Sequence, residues 1–211
     1  MMTSLSTTAQ LTNSGSFNAA SIMNYRAALK TVGQGLDRIT INDIILYAVA
    51  HTLKNHKILN AHLVNDEMHY FGSVNLGIAV DTDRGLMVPT LFGADMMTLK
   101  EISENAKNLI KTAQSGSISP DLLQGASFTV TNLGTLGVEH FTPVINPPQT
   151  GILGVCSIIE RIRTSDGKIT AYPAMGLSLT YDHRAVDGAP AAKFIQELKA
   201  NLEDFPAFIS Q

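Results

Sequence analysis

The sequence predicts an α+β protein organised on one mixed β-sheet. Three observations lead there. Runs with strand alternation are separated by tight-turn chemistry, helical segments are interspersed without regular strand–helix alternation, and one helical segment is apolar almost all round. Regular alternation would indicate a doubly wound parallel sheet, whereas hairpin turns demand antiparallel pairs. With 211 residues, 45% of them hydrophobic, the chain can bury a substantial core as one large or two small domains. It shows no internal repeat and no low-complexity tract, so it reads as one compact unit. Residues 1–15 are expected to form an N-terminal arm and first strand, and residues 16–211 the main domain.

The elements follow in order. After an irregular start, Thr7 to Thr12 reads as an edge strand, and Asn18 or Ser21 can cap a helix running through Lys30. Thr40 or Asn42 opens a nearly unbroken apolar segment to about His56, too apolar all round for a surface helix and therefore central. Between Ala61 and Pro89 the pattern changes to alternation and β-branched residues. Turn chemistry at Asn65-Asp66 and at Asp81 to Gly85 divides it into a strand meander. Thr98 to Ser115 has helical period, with Leu99, Ile102, Ala106, Leu109 and Ile110 on one face, and Pro120 to Leu123 forms a short helical turn. Strands are expected at Ala126 to Asn132, Gly151 to Arg163 and Gly176 to Tyr181, with a hairpin turn at Ser165-Asp166-Gly167-Lys168 and a last helix from about Ala189 to Glu203.

Composition excludes several functions. A net charge of −3 without a basic stripe argues against nucleic acid as a main partner. The longest apolar runs, Ile44 to Ala50 and Gly151 to Cys156, fall far short of the roughly 18 residues a membrane helix needs. The opening residues lack the basic segment and apolar stretch of a secretory signal. Together with a single cysteine, Cys156, this predicts a reducing location, bacterial cytoplasm or mitochondrial matrix. Cys156 ends an apolar run and is expected to be buried packing. With only 16% charged residues the surface has little polar cover, a hint of assembly.

Of six histidines, one has a context that calls for chemistry. His183 follows an expected strand ending at Tyr181, sits among Asp182, Arg184 and Asp187, and precedes a helix. A strand-to-helix turn can present a side chain rigidly to a cleft. No second histidine or cysteine falls at ligand spacing around it, so no metal is expected. Asp187 lies just before Gly188-Ala189-Pro190, where a carboxylate can cap the last helix, so a brace is the stronger reading and proton transfer the weaker. On residue types alone, a hydrogen-bonded turn histidine is the stronger reading of His183, and a β-branched strand residue that of Thr131.

The segment Asp182-His183-Arg184-Ala185-Val186-Asp187-Gly188-Ala189 resembles the signature of dihydrolipoamide acyltransferases, core components of 2-oxo-acid dehydrogenase complexes, and more loosely that of chloramphenicol acetyltransferase. The resemblance extends in order to Val74–Thr82 with Gly85–Pro89, to Phe128–Gly134, and to Ile145–Gln149 with Ile152–Val155, and covers about residues 7 to 205. It implies a chloramphenicol acetyltransferase-like fold for the main domain and His183 as general base on the attacking thiol. It also implies that the Thr131 hydroxyl, from an adjacent subunit, donates to the oxyanion, with Asp187 beside the base. Coenzyme A and a dihydrolipoyl arm are the implied substrates. The implied partners are two further copies in a homotrimer, a cubic or dodecahedral assembly of trimers, a lipoyl domain on a separate domain or chain, and dehydrogenase components. Two departures stand out: Cys156 where relatives commonly carry glycine, and Ala185 where a larger aliphatic residue is common. No lipoyl-bearing segment or Ala/Pro-rich linker is present in these residues. Competing readings are a coenzyme A-dependent acetyltransferase acting on a small hydroxyl acceptor, and a scaffold whose chemistry has lapsed. The acyl group and the residues lining the coenzyme A channel are not legible.

Overall fold

The computed structural model describes residues 2–33, 35–165 and 167–211. The chain opens with helix α1 (Met2–Thr7), strand β1 (Gln10–Asn18), and helices α2 (Ala20–Val32) and α3 (Ile41–Leu53). Six short strands follow: β2 (Ala61–Val64), β3 (Glu67–Tyr70), β4 (Leu76–Ile78), β5 (Val80–Thr82), β6 (Gly85–Met87) and β7 (Thr90–Leu91). Then come helix α4 (Leu99–Gln114), strand β8 (Phe128–Asn132), two long strands β9 (Gly151–Ser165) and β10 (Lys168–Asp182), and helices α5 (Gly188–Glu203) and α6 (Phe205–Ile209).

The main sheet has the order β1-β10-β9-β8-β4-β7. β1, β10 and β9 pair antiparallel, β9, β8 and β4 parallel, and β4 and β7 antiparallel, which is the expected mixed sheet. β2–β3 and β5–β6 stand apart as two-stranded hairpins. The turn expected at residues 165–168 includes Asp166, outside the described residues, and pairing starts on either side of it at Ser165 and Lys168.

The two faces of the sheet differ in chemistry because side chains alternate along each strand. On one face a Cβ added at Gly15 would meet Ile195 and Lys199 of α5, and Asn132 donates to Asn42 of α3. Here Leu153, Val155, Leu177, Leu179 and Tyr181 are buried in the main core beneath the helices. On the other face, Thr131, Gly154, Ser178 and Ser14 lie side by side across four strands, flanked by the row Thr129, Ile152, Thr180 and Thr12. Hydroxyls bridge neighbouring strands, Thr12 to Thr180 at 2.7 Å and Ser14 to Ser178 at 3.2 Å. The Phe141 ring sits so close over Gly154 that a Cβ there would come within 2.7 Å of it. This face is hydroxyl-rich, and Thr129, Ser178 and Thr180 on it are buried, with Gln149 accepting from Thr129.

The central helix is as expected. Ile44, Ile45, Leu46, Ala48, Val49 and Ala50 of α3 are all buried. Thr40 and Asp43 form a capping box that closes its first turn. Asp43 is itself buried, and Lys107 at 3.1 Å and Ser103 at 2.8 Å answer its charge. Thr98 and Glu101 cap α4 in the same way, and its face of Leu99, Ile102, Ala106 and Leu109 is buried.

Three local expectations need correction. The irregular start is helix α1, because Ser4 buries its hydroxyl against Ile145 O at 2.6 Å and closes a turn with Thr8. The first strand is displaced to Gln10–Asn18, since polar Asn13 to Ser16 pair with β10 through backbone and hydroxyl contacts, and residue 15 falls inside it. The helix expected from Asn18 or Ser21 has Ala19 at its cap position, and Asn18, one residue earlier, accepts from Ala20 N at 3.1 Å. The fold also adds α6, whose Phe205 is buried in the core.

Candidate active site

His183 sits where expected, in the turn between β10 and α5, with its backbone tied to the start of β1: its N–H donates to Ala9 O at 2.8 Å. Its ring leans on Tyr181, centroids 5.9 Å apart, and the side chain remains 45% exposed, so one edge of the imidazole faces outward. Nδ1 lies 3.8 Å from Asp187 Oδ1, close enough to attract but too long for a hydrogen bond.

Asp187 occupies the cap position of α5 yet makes no cap hydrogen bond. The expected side-chain cap is therefore absent: the carboxylate is 82% exposed and turned toward His183. The brace is supplied instead by Asp182, which sequence reasoning left without a role. Asp182 is buried and accepts from Ala9 N at 3.2 Å, Arg184 N at 3.1 Å and the Arg184 guanidinium at 2.6 Å. Burial alone would raise its pKa, but Arg184 and the two amides outweigh burial and hold the carboxyl below the usual range. Only its position between Tyr181 and His183 hinted at this.

Thr131 lies half-buried in β8 on the hydroxyl-rich face. The structure does not bring it to His183 within one chain. Thr131 is opposite Gly154, and Gly154 opposite Ser178, two strands over and five residues before His183. At ordinary strand spacing and rise that is roughly 19 Å between Cα atoms. Beyond Thr131, Asn132 accepts from Gly134 N at 2.9 Å, and Gly134 packs so tightly under a bulge in β9 that a Cβ would lie 2.3 Å from Cys156 O. A cleft of about 600 Å³ opens at this end of β8, lined by Arg26, Ile41, Asn42, Asn132, Ser157 and Met175. Cys156 is buried, as expected, and burial pushes its thiol pKa up. The Asn146 to Gln149 segment, left unassigned in the sequence, is held by Gln149, which accepts from Thr129 at 2.7 Å. Among the described residues no group of three or more His, Cys, Asp or Glu is placed to hold a metal, and no helix is long and apolar enough to cross a membrane.

A mixed sheet backed by helices on one face, with a histidine presented in a strand-to-helix turn, is the architecture of an acyltransferase catalytic domain. The chain belongs to the 2-oxoacid dehydrogenases acyltransferase (catalytic domain) family, whose model matches residues 1–209. It is 36% identical over 211 residues to the dihydrolipoyllysine-residue acetyltransferase component of the acetoin cleaving system of Bacillus subtilis (strain 168), covering 99% of this chain and 53% of that protein. It is 38% identical over 200 residues to the succinyltransferase component of the 2-oxoglutarate dehydrogenase complex of Bartonella vinsonii subsp. berkhoffii, covering 94% of this chain and 49% of that protein. The chain thus spans about half the length of the curated relatives it matches.

Among solved structures it resembles the Azotobacter vinelandii dihydrolipoamide acetyltransferase, with a TM-score of 0.93, 32% identity, and coverage of 99% of this chain and 87% of that one. That work concerns the catalytic role of a serine, a histidine 52 positions after it, and an asparagine four positions after the histidine. The cubic core of the pyruvate dehydrogenase multienzyme complex aligns with a TM-score of 0.92 at 32% identity, covering 99% and 87% of the two chains. Chloramphenicol acetyltransferase, at 13% identity and a TM-score of 0.56, shares the fold, as expected.

Proposed function

We propose that this domain transfers an acyl group between a dihydrolipoyl thiol and coenzyme A, with His183 as general base, Thr131 of a neighbouring subunit as oxyanion donor and Asp187 beside the base. One observation carries the reading. Thr131, His183 and Asp187 are spaced by 52 and four positions, as are the serine, histidine and asparagine of the Azotobacter enzyme. The aspartate in place of asparagine keeps an acceptor facing Nδ1.

The chemistry follows from the groups. A free thiol has a pKa of about 8.5 and free imidazole about 6.5, so an imidazole base held beside the thiol helps greatly to form the thiolate at neutral pH. The thiolate attacks the thioester carbonyl and forms a tetrahedral oxyanion, to which the Thr131 hydroxyl donates; such a donor is worth about 10²- to 10³-fold in rate. Collapse breaks the original carbon–sulfur bond, and the imidazolium returns its proton to the departing thiolate. The roughly 19 Å between the Cα atoms of His183 and Thr131 within a chain supports a site shared by two copies. We therefore propose a homotrimer, built into a larger cubic or dodecahedral core with its dehydrogenase components. The lipoyl arm would come from another domain or chain, in bacterial cytoplasm or mitochondrial matrix. The cleft beside Asn132 combines amides, a hydroxyl and apolar side chains, which suits the alternating amides and methylenes of the coenzyme A arm.

The test is an assay of acetyl-, succinyl- and branched-chain coenzyme A with dihydrolipoamide against a small hydroxyl acceptor. Thiol acylation, lost in His183→Ala with assembly retained, is the expected result. Acylation of the hydroxyl alone, or of neither, would overturn the reading.

A further inference from the structure

The chain before β1 is bound to the base through an unusually complete set of contacts. Ala9 uses both backbone groups on the turn: its N–H donates to Asp182 Oδ1 at 3.2 Å, and its carbonyl accepts from His183 N at 2.8 Å. The next residue, Gln10, is opposite Asp182 in the sheet and turns its amide the other way. Its Nε2 donates to Ser4 Oγ at 2.9 Å, and its Oε1 accepts from Ile145 N at 3.2 Å. The buried Ser4 hydroxyl closes the loop by donating to Ile145 O at 2.6 Å. On the far side, Asp182 N donates to Thr150 O at 3.0 Å. The His183 turn, the N-terminal segment and residues 145–150 are thus one hydrogen-bonded unit with Asp182 at its centre.

We propose that Asp182 is a positioning residue for His183, acting through Ala9 and Arg184, and that Ser4 to Gln10 thereby belong to the apparatus that aims the base. This rests on the reading of His183 as general base. Asp182 touches no reacting atom. Its buried carboxylate grips the amides on both sides of the histidine, Ala9 in space and Arg184 in sequence, and so fixes the peptide from which the imidazole projects. The Arg184 guanidinium, 2.6 Å away, keeps that carboxylate ionised and in place. The exposed Asp187 lies too far from Nδ1 to fix the ring by itself. A carboxylate serving only stability would not need to converge on the two residues that hold the catalytic turn.

The experiment compares wild type, Asp182→Asn, Asp182→Ala and Gln10→Leu as assembled proteins, measuring kcat, KM for coenzyme A and for dihydrolipoamide, and oligomer size. Asn keeps an acceptor for Ala9 but loses the ion pair, so kcat should fall about 10-fold; Ala removes both and should lose about 100-fold, the scale of a misplaced catalytic group. Gln10→Leu, which leaves Asp182 and His183 untouched, should lower kcat several-fold, and all KM values should stay within about two-fold of wild type. Unchanged kcat in the assembled Asp182 variants overturns the inference, as does a rise in KM with kcat retained. If Asp182→Ala does not assemble, Asp182→Asn and Gln10→Leu decide by the same criteria. His183→Ala separates the two levels. Loss of turnover there with none in the Asp182 variants defeats the positioning role alone, whereas full turnover in His183→Ala defeats the base assignment.

Discussion

Two inactive chains should restore each other. His183→Ala removes the proposed base and keeps the Thr131 hydroxyl, while Thr131→Ala keeps the proposed base and removes the hydroxyl. Within a chain these residues are separated by two strands laterally and five residues along β10, roughly 19 Å, too far to act on one carbonyl. If each centre joins His183 of one subunit to Thr131 of the next, random hybrids from an equal mixture restore an intact pair at about one centre in four in a cyclic trimer. Each parent alone should lie about 10²-fold or more below wild type. The assay is partial dissociation in mild denaturant, mixing, reassembly and measurement of acyl transfer, with hybrid formation checked by mass spectrometry of differently tagged chains. Recovery to about a quarter of wild-type turnover is expected. Verified hybrids with no activity above the parents would refute the shared centre.

Further outcomes follow from the packing and titration of the fold. Gly134→Ala should destabilise by about 1 to 3 kcal/mol or more, because the new Cβ would lie 2.3 Å from the Cys156 carbonyl, and a urea titration would show it. Burial first, with Lys54 assisting, holds the His51 imidazole below its usual pKa against the opposing pull of Met97 O and Asp95. The unfolded chain therefore takes up a proton near pH 6.5 that the folded chain refuses, and stability should fall as pH drops from about 6.5. His51→Gln should flatten that limb in thermal melts. Asp182 has a lowered folded pKa, so its contribution is present above about pH 4 and is lost as pH falls through its folded value, giving a second, more acidic loss. Buried Cys156, its pKa raised by desolvation, should react with a thiol reagent only on unfolding; rapid labelling of native protein would contradict its placement.

The parts legible in the sequence are those where local pattern and global packing agree. The apolar run from Ile44 to Ala50 could only be a buried helix, and Thr98 with Glu101 announced the start of α4. The strand-to-helix turn at His183 followed from Tyr181 before it and the Gly188-Ala189-Pro190 segment after it. What was not legible depends on distant partners. Met2 to Thr7 have little helical preference, and α1 exists because Ser4 finds Ile145, 141 positions away. Asn13 to Ser16 look like a loop until β10 supplies matching hydroxyls. Asp187 has the residue type and position of a helix cap, but the carboxylate is turned toward the histidine instead. Asp182 gave no signal beyond its neighbour, since its meaning lies in Ala9, 173 positions earlier.

That distance has a consequence for synthesis. Within this domain β1 is made long before its partner β10, so Gln10 waits for Asp182 through most of the domain's synthesis. A nascent chain halted before Lys168 holds a strand of exposed amides and hydroxyls with nowhere to dock, and the turn bearing His183 does not yet exist. Pairings of such long sequence separation form slowly and leave strand edges open to other chains meanwhile. The fold thus completes the turn of the proposed base with the same strand that covers one edge of β1, so a chain released too early exposes that edge and lacks the turn.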